Sequence, residues 1–401
     1  MKILQLNNRI PYPLNDGGNI GVHYYTQGYL DAGVQLSMLA MNTTRHWADV
    51  AALPPIYKRL QHFETVKVDN RIKPLAALAN LFTQKSYNIG RFVSSEFEEK
   101  LKHLLANEHF DIVQLEGLYL VPYVATIRKY SKAKVVLRQH NIEFRIWERL
   151  AAKTTNPLKK WYLDLLARRL KKYELEHLAD YDLVLPISKE DEAFFRQLGT
   201  GSPTFLHPFG IDVSKIPFSP STKEPVSLYH IGAMDWLANR ESVDWLLEKV
   251  VPQLAERMPG LKLHLAGRNM PEKYLQLTMP NVVVHGEVPD AAAFEQDKSV
   301  LLVPLQSGGG VRIKIFQAMA LGKAIVTTSV GVEGIEAVSG KHLFIANDAA
   351  AFAQQILQLA TDPKLIGQMG QNARKLLEER YDSRQTMALL LERLQQLTGS
   401  E

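Results

Sequence analysis

Short apolar runs recur along the chain, separated by stretches whose apolar residues follow a helical period. Runs at 2–6, 34–40, 112–115, 135–137 and 183–186 read as strands in the first half, and runs at 226–231, 261–266, 282–285, 300–303 and 324–327 in the second. Continuous rather than alternating apolar character marks strands buried on both faces, as in parallel sheets covered by helices. The pattern therefore predicts an α/β, doubly wound architecture. Each half holds enough strands for its own sheet. The stretch 208–225 is rich in Pro, Ser and Lys, lacks periodicity and reads as the linker. Two domains also suit 401 residues, because single cores seldom grow beyond roughly 250–300.

The passage 306–322, QSGGGVRIKIFQAMALG, adds the first chemistry. It follows the run 300–303, so Gly308, Gly309 and Gly310 form a turn between a strand and a helix whose Ile313, Phe316 and Ala320 share one face. Such a turn leaves backbone N–H groups unpaired, and together with the helix dipole they favour an anion. Arg312 and Lys314 add cations within the first turn. A phosphate-bearing donor is the expected ligand, and the expected activity is group transfer from a nucleotide-linked donor.

Composition narrows the classes further. Hydrophobic residues at 46% and charged residues at 22% are ordinary for a globular enzyme. A net charge of +5 permits attraction to phosphate or an anionic membrane without calling for nucleic acid, which is not an expected partner. The absence of cysteine excludes disulfides, thiolate nucleophiles and Cys-ligated metals. No run approaches the ~18 apolar residues of a spanning helix, and the N-terminal apolar stretch is short for a signal peptide, so a cytoplasmic location is expected. The helical region 141–180 carries Lys159, Lys160, Arg168, Arg169, Lys171 and Lys172. Trp147, Leu150, Leu158, Trp161, Leu165 and Tyr173 are expected to line one of its faces. Its plain reading is a packed helix pair with a solvated charged side. The sharper one has basic helices 145–172 resting on an anionic membrane at the inner face, or approaching a lipid-pyrophosphate acceptor.

Two acidic clusters invite over-reading. Asp180-Tyr181-Asp182 precedes its strand instead of following it, unlike a metal-binding DxD. Glu190-Asp191-Glu192 suits a helix start capped by Ser188. No HExxH, zinc spacing or calcium loop appears, and no metal is expected.

Several pieces, in order, carry a resemblance: RIPYPLNDGG at 9–18, RQHNIE at 138–143, DLVLPIS at 182–188, PFGID at 208–212, HIGAMDWLANRESVDWL at 230–246, LKLHLAGR at 261–268, VVVHGEVPD at 282–290, the passage 306–322, and AIVTTSVGVEGI at 324–335. With these the chain resembles family-4 retaining glycosyltransferases of the GT-B fold, particularly bacterial sugar transferases of exopolysaccharide systems. The resemblance implies two Rossmann-like doubly wound parallel-sheet domains facing a cleft: an acceptor-side domain at 1–207, a nucleotide-sugar domain at 208–382, and a last helix, within 383–401, packing back on the first. It also implies transfer of a sugar from a nucleotide-diphosphate donor to a hydroxyl of a glycan or lipid-linked saccharide, with retention. The nucleotide sugar is then a co-substrate, and no separate cofactor is needed.

By the same resemblance, Arg312 and Lys314 neutralise the diphosphate while Gly308, Gly309 and Gly310 let the backbone approach the donor. Glutamates usually stand where this chain has Gly309 and Gln317; Gln317 would still bond ribose hydroxyls. His140 would lie near the donor sugar and donate a hydrogen bond or assist proton transfer. Gly232 gives the donor room, Arg268 touches phosphate or base, the backbone at Glu287 and Val288 reads the base edge, and Glu333 lies near the donor pocket. Asp16, Gly17 and Gly18 form an acceptor-side loop. Family members often carry Arg and Lys after the first glycine of this domain, where Ala233 and Asn239 stand here. The same architecture serves nucleotide-sugar 2-epimerases and would serve a non-catalytic sugar-nucleotide binder. A dinucleotide-dependent dehydrogenase is disfavoured, since Asn7-Asn8-Arg9 replaces a GxGxxG after the first strand.

Overall fold

A computed structural model describes the chain apart from residues 15, 16, 200, 221–224, 308–311, 400 and 401. The chain divides into two compact units, Met1–Phe209 with Arg384–Glu401, and Gly210–Ser383. The first holds β1 (Lys2–Asn7), β2 (Gln35–Thr43), β3 (Phe63–Val68), β4 (Ile112–Glu116), β5 (Lys134–Gln139) and β6 (Leu183–Pro186). The second holds β7 (Ser227–Ile231), β8 (Lys262–Ala266), β9 (Val282–Gly286), β10 (Val300–Val303), β11 (Ala324–Thr327) and β12 (Phe344–Ile345). Their orders, β3-β2-β1-β4-β5-β6 and β12-β11-β10-β7-β8-β9, are the same doubly wound order with every pairing parallel.

The ten expected strands form, and two more flank them. β3 (FETVKV) has only Val66 and Val68 buried, and as an edge strand it tolerates the charges that hide it in the sequence. β12 is two residues long, below any pattern. In the first unit, strand alternation sends Leu4, Leu39, Val113 and Leu137 to one core and Ile3, Met38, Ile112 and Val136 to the other. The helix Ser383–Thr398 contributes Met387, Leu390 and Leu394 to the second of these cores, so it belongs to the first unit despite closing the chain.

The region 141–180 forms two helices, Glu143–Lys153 and Pro157–Glu176. The expected apolar face is corrected: the longer helix buries Leu163, Leu166, Ala167 and Leu170, while Leu158 and Trp161 are 79% and 54% exposed. The two acidic clusters are structural. Ser188 caps its helix by accepting from the Asp191 N–H, and Asp182 accepts from the Val135 N–H at 2.7 Å while pairing with Arg128.

Reversal of strand order in each sheet falls between β1 and β4 and between β7 and β10. In open α/β sheets, ligands bind beyond the carboxyl ends of strands at such points.

Candidate functional site

In the second unit, β7 and β8 are each followed directly by a glycine, Gly232 and Gly267, and β9 ends on Gly286. The ladder continues past the strands through Gly232 N–H to the Ala266 carbonyl, Gly267 N–H to the Gly286 carbonyl, and Met234 N–H to the Arg268 carbonyl. A Cβ on Gly267 would collide with the Gly232 carbonyl oxygen. A Cβ on Gly232 would instead lie 2.8 Å from Lys314 Nζ and 2.7 Å from Asn239 Nδ2, so this glycine keeps a notch open for the lysine. Two outcomes should therefore differ. Gly267→Ala is expected to cost several kcal/mol of stability, since backbone has to move. Gly232→Ala is expected to leave the melting temperature nearly unchanged but to weaken nucleoside-diphosphate binding by about tenfold through displacement of Lys314. Thermal unfolding and calorimetric titration read the two effects separately.

The helix Ile313–Leu321 begins where the glycine run ends. Arg312 occupies its N-cap position rather than its first turn, buried, with its guanidinium 5.7 Å from the Trp236 ring. Lys314 is half-buried, donates to Asn239 Oδ1 at 3.1 Å, and is pushed down to about 7 by burial and by Arg312, with buried Glu295 opposing. Glu295 itself is pushed up to about 7 by burial, against the pull of Lys314 and Lys323. A lysine so depressed is held in reserve for an anion, whose arrival restores its charge. Gln317 lies one turn further along the same face, also half-buried, and Gly322 ends the helix in the left-handed conformation at φ 75°. Arg268 donates to Asp235 at 3.2 Å.

In the first unit, a buried polar network occupies the reversal point. Glu116 ends β4 and is opposite Arg138 of β5 in register. Its carboxylate accepts four hydrogen bonds: Gln5 Nε2 at 2.8 Å and Gln114 Nε2 at 2.6 Å on one oxygen, Arg138 Nη1 at 3.0 Å and His140 Nε2 at 2.7 Å on the other. Burial alone would raise its pKa, but Arg138 and His140 override burial and hold it at about 2. Tyr25 covers Arg138, whose guanidinium lies 4.0 Å from the ring, and Tyr29 donates to Gln114. His140 is lowered by burial and by Arg138 against the pull of Glu116, so the imidazole is neutral. With Nε2–H committed to Glu116, Nδ1 carries the lone pair.

A second buried carboxylate fixes the loop bearing His140. Glu174 accepts from Gln139 Nε2 at 2.5 Å and from the N–H groups of Glu143 and Phe144, the first turn of the next helix. Burial raises both Glu174 and Glu143.

Gly232, Lys314, Arg312 and Asn239 thus form one group, with Arg268 joined to it through the backbone ladder and Asp235. Val288 and exposed Glu287 follow β9, and Glu333 sits half-buried in the turn after β11. Gly17 and Gly18 start the helix Gly17–Asp31, whereas Asp16, Gly308, Gly309 and Gly310 lie outside the described residues. Sequence reasoning missed Glu116, Arg138 and Glu174. The signal available was a charge at the end of each of two neighbouring apolar runs, IVQLE and VVLRQ, of opposite sign. Among the described residues, no group of three or more His, Cys, Asp or Glu is placed to hold a metal, and no helix is long and apolar enough to cross a membrane.

Residues 225–362 match the family described as Glycosyl transferases group 1. Over 96% of this chain and 98% of its own length, an uncharacterized 44.6 kDa protein in the cps region of Klebsiella pneumoniae is 24% identical. The capsular polysaccharide biosynthesis glycosyltransferase CapM of Staphylococcus aureus is 34% identical over 27% of this chain and 30% of its own. Among solved structures, sucrose-phosphate synthase from Thermosynechococcus elongatus aligns over 100% of both chains with a TM-score of 0.71 and 16% identity. Anabaena HepE in complex with UDP aligns over 99% of this chain and 100% of its own, with a TM-score of 0.67 and 15% identity. The doubly wound pair of sheets is thus the GT-B fold, and residues 225–362 carry a Glycosyl transferases group 1 domain.

Proposed function

We propose that the protein moves a sugar, with retention and without a metal, from a nucleotide-diphosphate donor to a hydroxyl of a glycan or lipid-linked saccharide in polysaccharide biosynthesis. The observation that carries this reading is the Lys314 notch: a half-buried lysine of depressed pKa, flanked by Arg312 and given room by Gly232. Breaking the glycosidic bond builds charge on the departing diphosphate, and preorganised cations stabilise that charge more than the ground state. Arg268, Gly308, Gly309, Gly310 and Gln317 complete donor binding in this reading, with Glu287, Val288 and Glu333 beside the base and sugar. The departing diphosphate takes the acceptor proton in a front-side substitution, so no pair of carboxylates is required.

On the first unit, His140 accepts a substrate hydroxyl at Nδ1, while Glu116 holds the ring and stabilises any positive charge it gains. The acceptor-side role extends to Asp16, Gly17 and Gly18, the last two in the first turn of the helix Gly17–Asp31. The protein works at the inner membrane face, with helices 145–172 towards anionic lipid; exposed Leu158 and Trp161 beside Lys159 and Lys160 support that orientation.

A thermal-shift panel of nucleoside diphosphates and nucleotide sugars identifies the donor, because a ligand of the folded state raises its stability. Proton NMR of the first-formed product should then show the donor's anomeric configuration preserved, unchanged by EDTA. Inverted product, epimerised donor without transfer, or activity abolished by chelation defeats the reading.

A further inference from the structure

A cavity of about 670 Å³ lies in the first unit, away from the Glu116 network, between the end of β3 and the helical turns around residues 86–95. Lys67, Arg71, Lys73, Lys85 and Arg91 line it against one carboxylate, Asp69. That carboxylate pairs with Arg71 at 2.8 Å and with Lys73 at 3.2 Å, which leaves the cavity strongly cationic. Two lining groups lack protein partners. Ser86 is 7% exposed and its buried hydroxyl bonds to nothing, and Arg91 Nε is likewise unpaired while its Nη1 donates to the Asn70 carbonyl at 3.2 Å. Buried donors are seldom left unmet, so these mark a place for acceptor oxygens from outside the chain.

The segment bordering this cavity is apolar and uncovered. The helix Pro74–Asn80 buries none of its residues. Exposures are 59% for Ile72, 83% for Leu75, 57% for Leu78 and 89% for Phe82. Arg169 holds the segment in place by donating to the carbonyls of Asn80 and Leu81 at 2.8 and 3.1 Å. Cations around a cavity with unmet donors call for phosphate oxygens, and an adjoining apolar ridge calls for hydrocarbon. One ligand class has both parts.

We propose that this cavity seats the phosphate or pyrophosphate head of a lipid whose chain lies over Leu75, Leu78 and Phe82. The assignment rests on the reading of the first unit as the side of a lipid-linked acceptor, and it gives that acceptor a head-group site distinct from the donor notch.

Co-sedimentation of the full chain with phosphatidylcholine vesicles, with and without phosphatidic acid, tests it. Binding is expected only with phosphatidic acid, and inorganic pyrophosphate should displace it. K73Q/K85Q should weaken binding about tenfold or more, since each basic residue at an anionic surface is worth roughly a factor of five. L75S/F82S should weaken it comparably. Both variants alter exposed side chains, and unchanged melting temperature and donor hydrolysis would show that fold and donor site are intact. Equal binding to pure phosphatidylcholine, or full binding by either variant, overturns the proposal. So does a loss confined to K159Q/K160Q, which would move the contact to the basic helix. Tight pyrophosphate binding that L75S/F82S leaves intact, without vesicle binding by the wild type, would show a site for free anions and also overturns it. Failure of the donor reading would appear separately, as absence of donor hydrolysis in the wild type.

Discussion

Lys314→Met is expected to lower donor turnover by about 10²–10³-fold, the usual cost of losing one preorganised group aimed at developing charge. Stability should hold or rise slightly, because the substitution removes a half-buried cation next to Arg312 and keeps the apolar stem. The pH dependence follows from the same burial. In the free protein this lysine titrates at about 7, and a diphosphate favours its charged form. Donor binding should therefore take up a proton above pH 7 and weaken as pH rises, by up to about tenfold per unit. For folding the sign is opposite: a depressed amine destabilises the native state at low pH, and that penalty fades as pH climbs from 7 towards the ordinary lysine value of 10.5. Titration calorimetry in buffers of differing ionisation enthalpy detects the proton. A wild type that binds diphosphate without proton uptake, or a methionine variant of normal turnover, would refute the role.

The largest loss of stability is expected from Glu116→Ala, about 3–5 kcal/mol, as for any buried ion pair stripped of one partner. Arg138, whose side chain is 4% exposed, would keep its charge with no carboxylate to face, and Gln5, Gln114 and His140 would each lose an acceptor. Chemical denaturation at neutral pH measures the loss; a decrease below about 1 kcal/mol would mean that the network relaxes or hydrates freely. Because Glu116 is held at about 2 in the folded protein against the ordinary glutamate value of 4.5, the contribution is complete above 4.5 and disappears as pH falls towards 2. The difference corresponds to about 3 kcal/mol, and Glu116→Gln should flatten the wild-type acid limb within that window.

Legibility differed by element for physical reasons. A run such as VLLV of β10 is legible because four apolar residues between Ser299 and Pro304 are too few for a helix and half of them are β-branched, as suits a strand covered on both faces. β3 alternates with charges at a sheet edge, and its pattern matches a loop as well as a strand. In the helix Pro157–Glu176, Leu158 and Trp161 share a helical spacing with Leu165 and mimic a core stripe, yet the buried stripe runs through Leu163, Leu166 and Leu170. Two apolar stripes on one helix cannot be ranked by period alone. In the candidate site, local motifs pointed to Lys314, Arg312, Gly232 and His140. Their partners were not legible, because Asn239 is 75 residues from Lys314 and Glu116 is 24 from His140. Only the strand order brings such pairs together.

The return of the helix Ser383–Thr398 to the core of the first unit has a consequence for biosynthesis. The second unit, continuous in sequence, can close as soon as it leaves the ribosome, whereas the unit translated earlier waits for Met387, Leu390 and Leu394. The half begun first is completed last, and during that interval its unfilled apolar groove is open to chaperones.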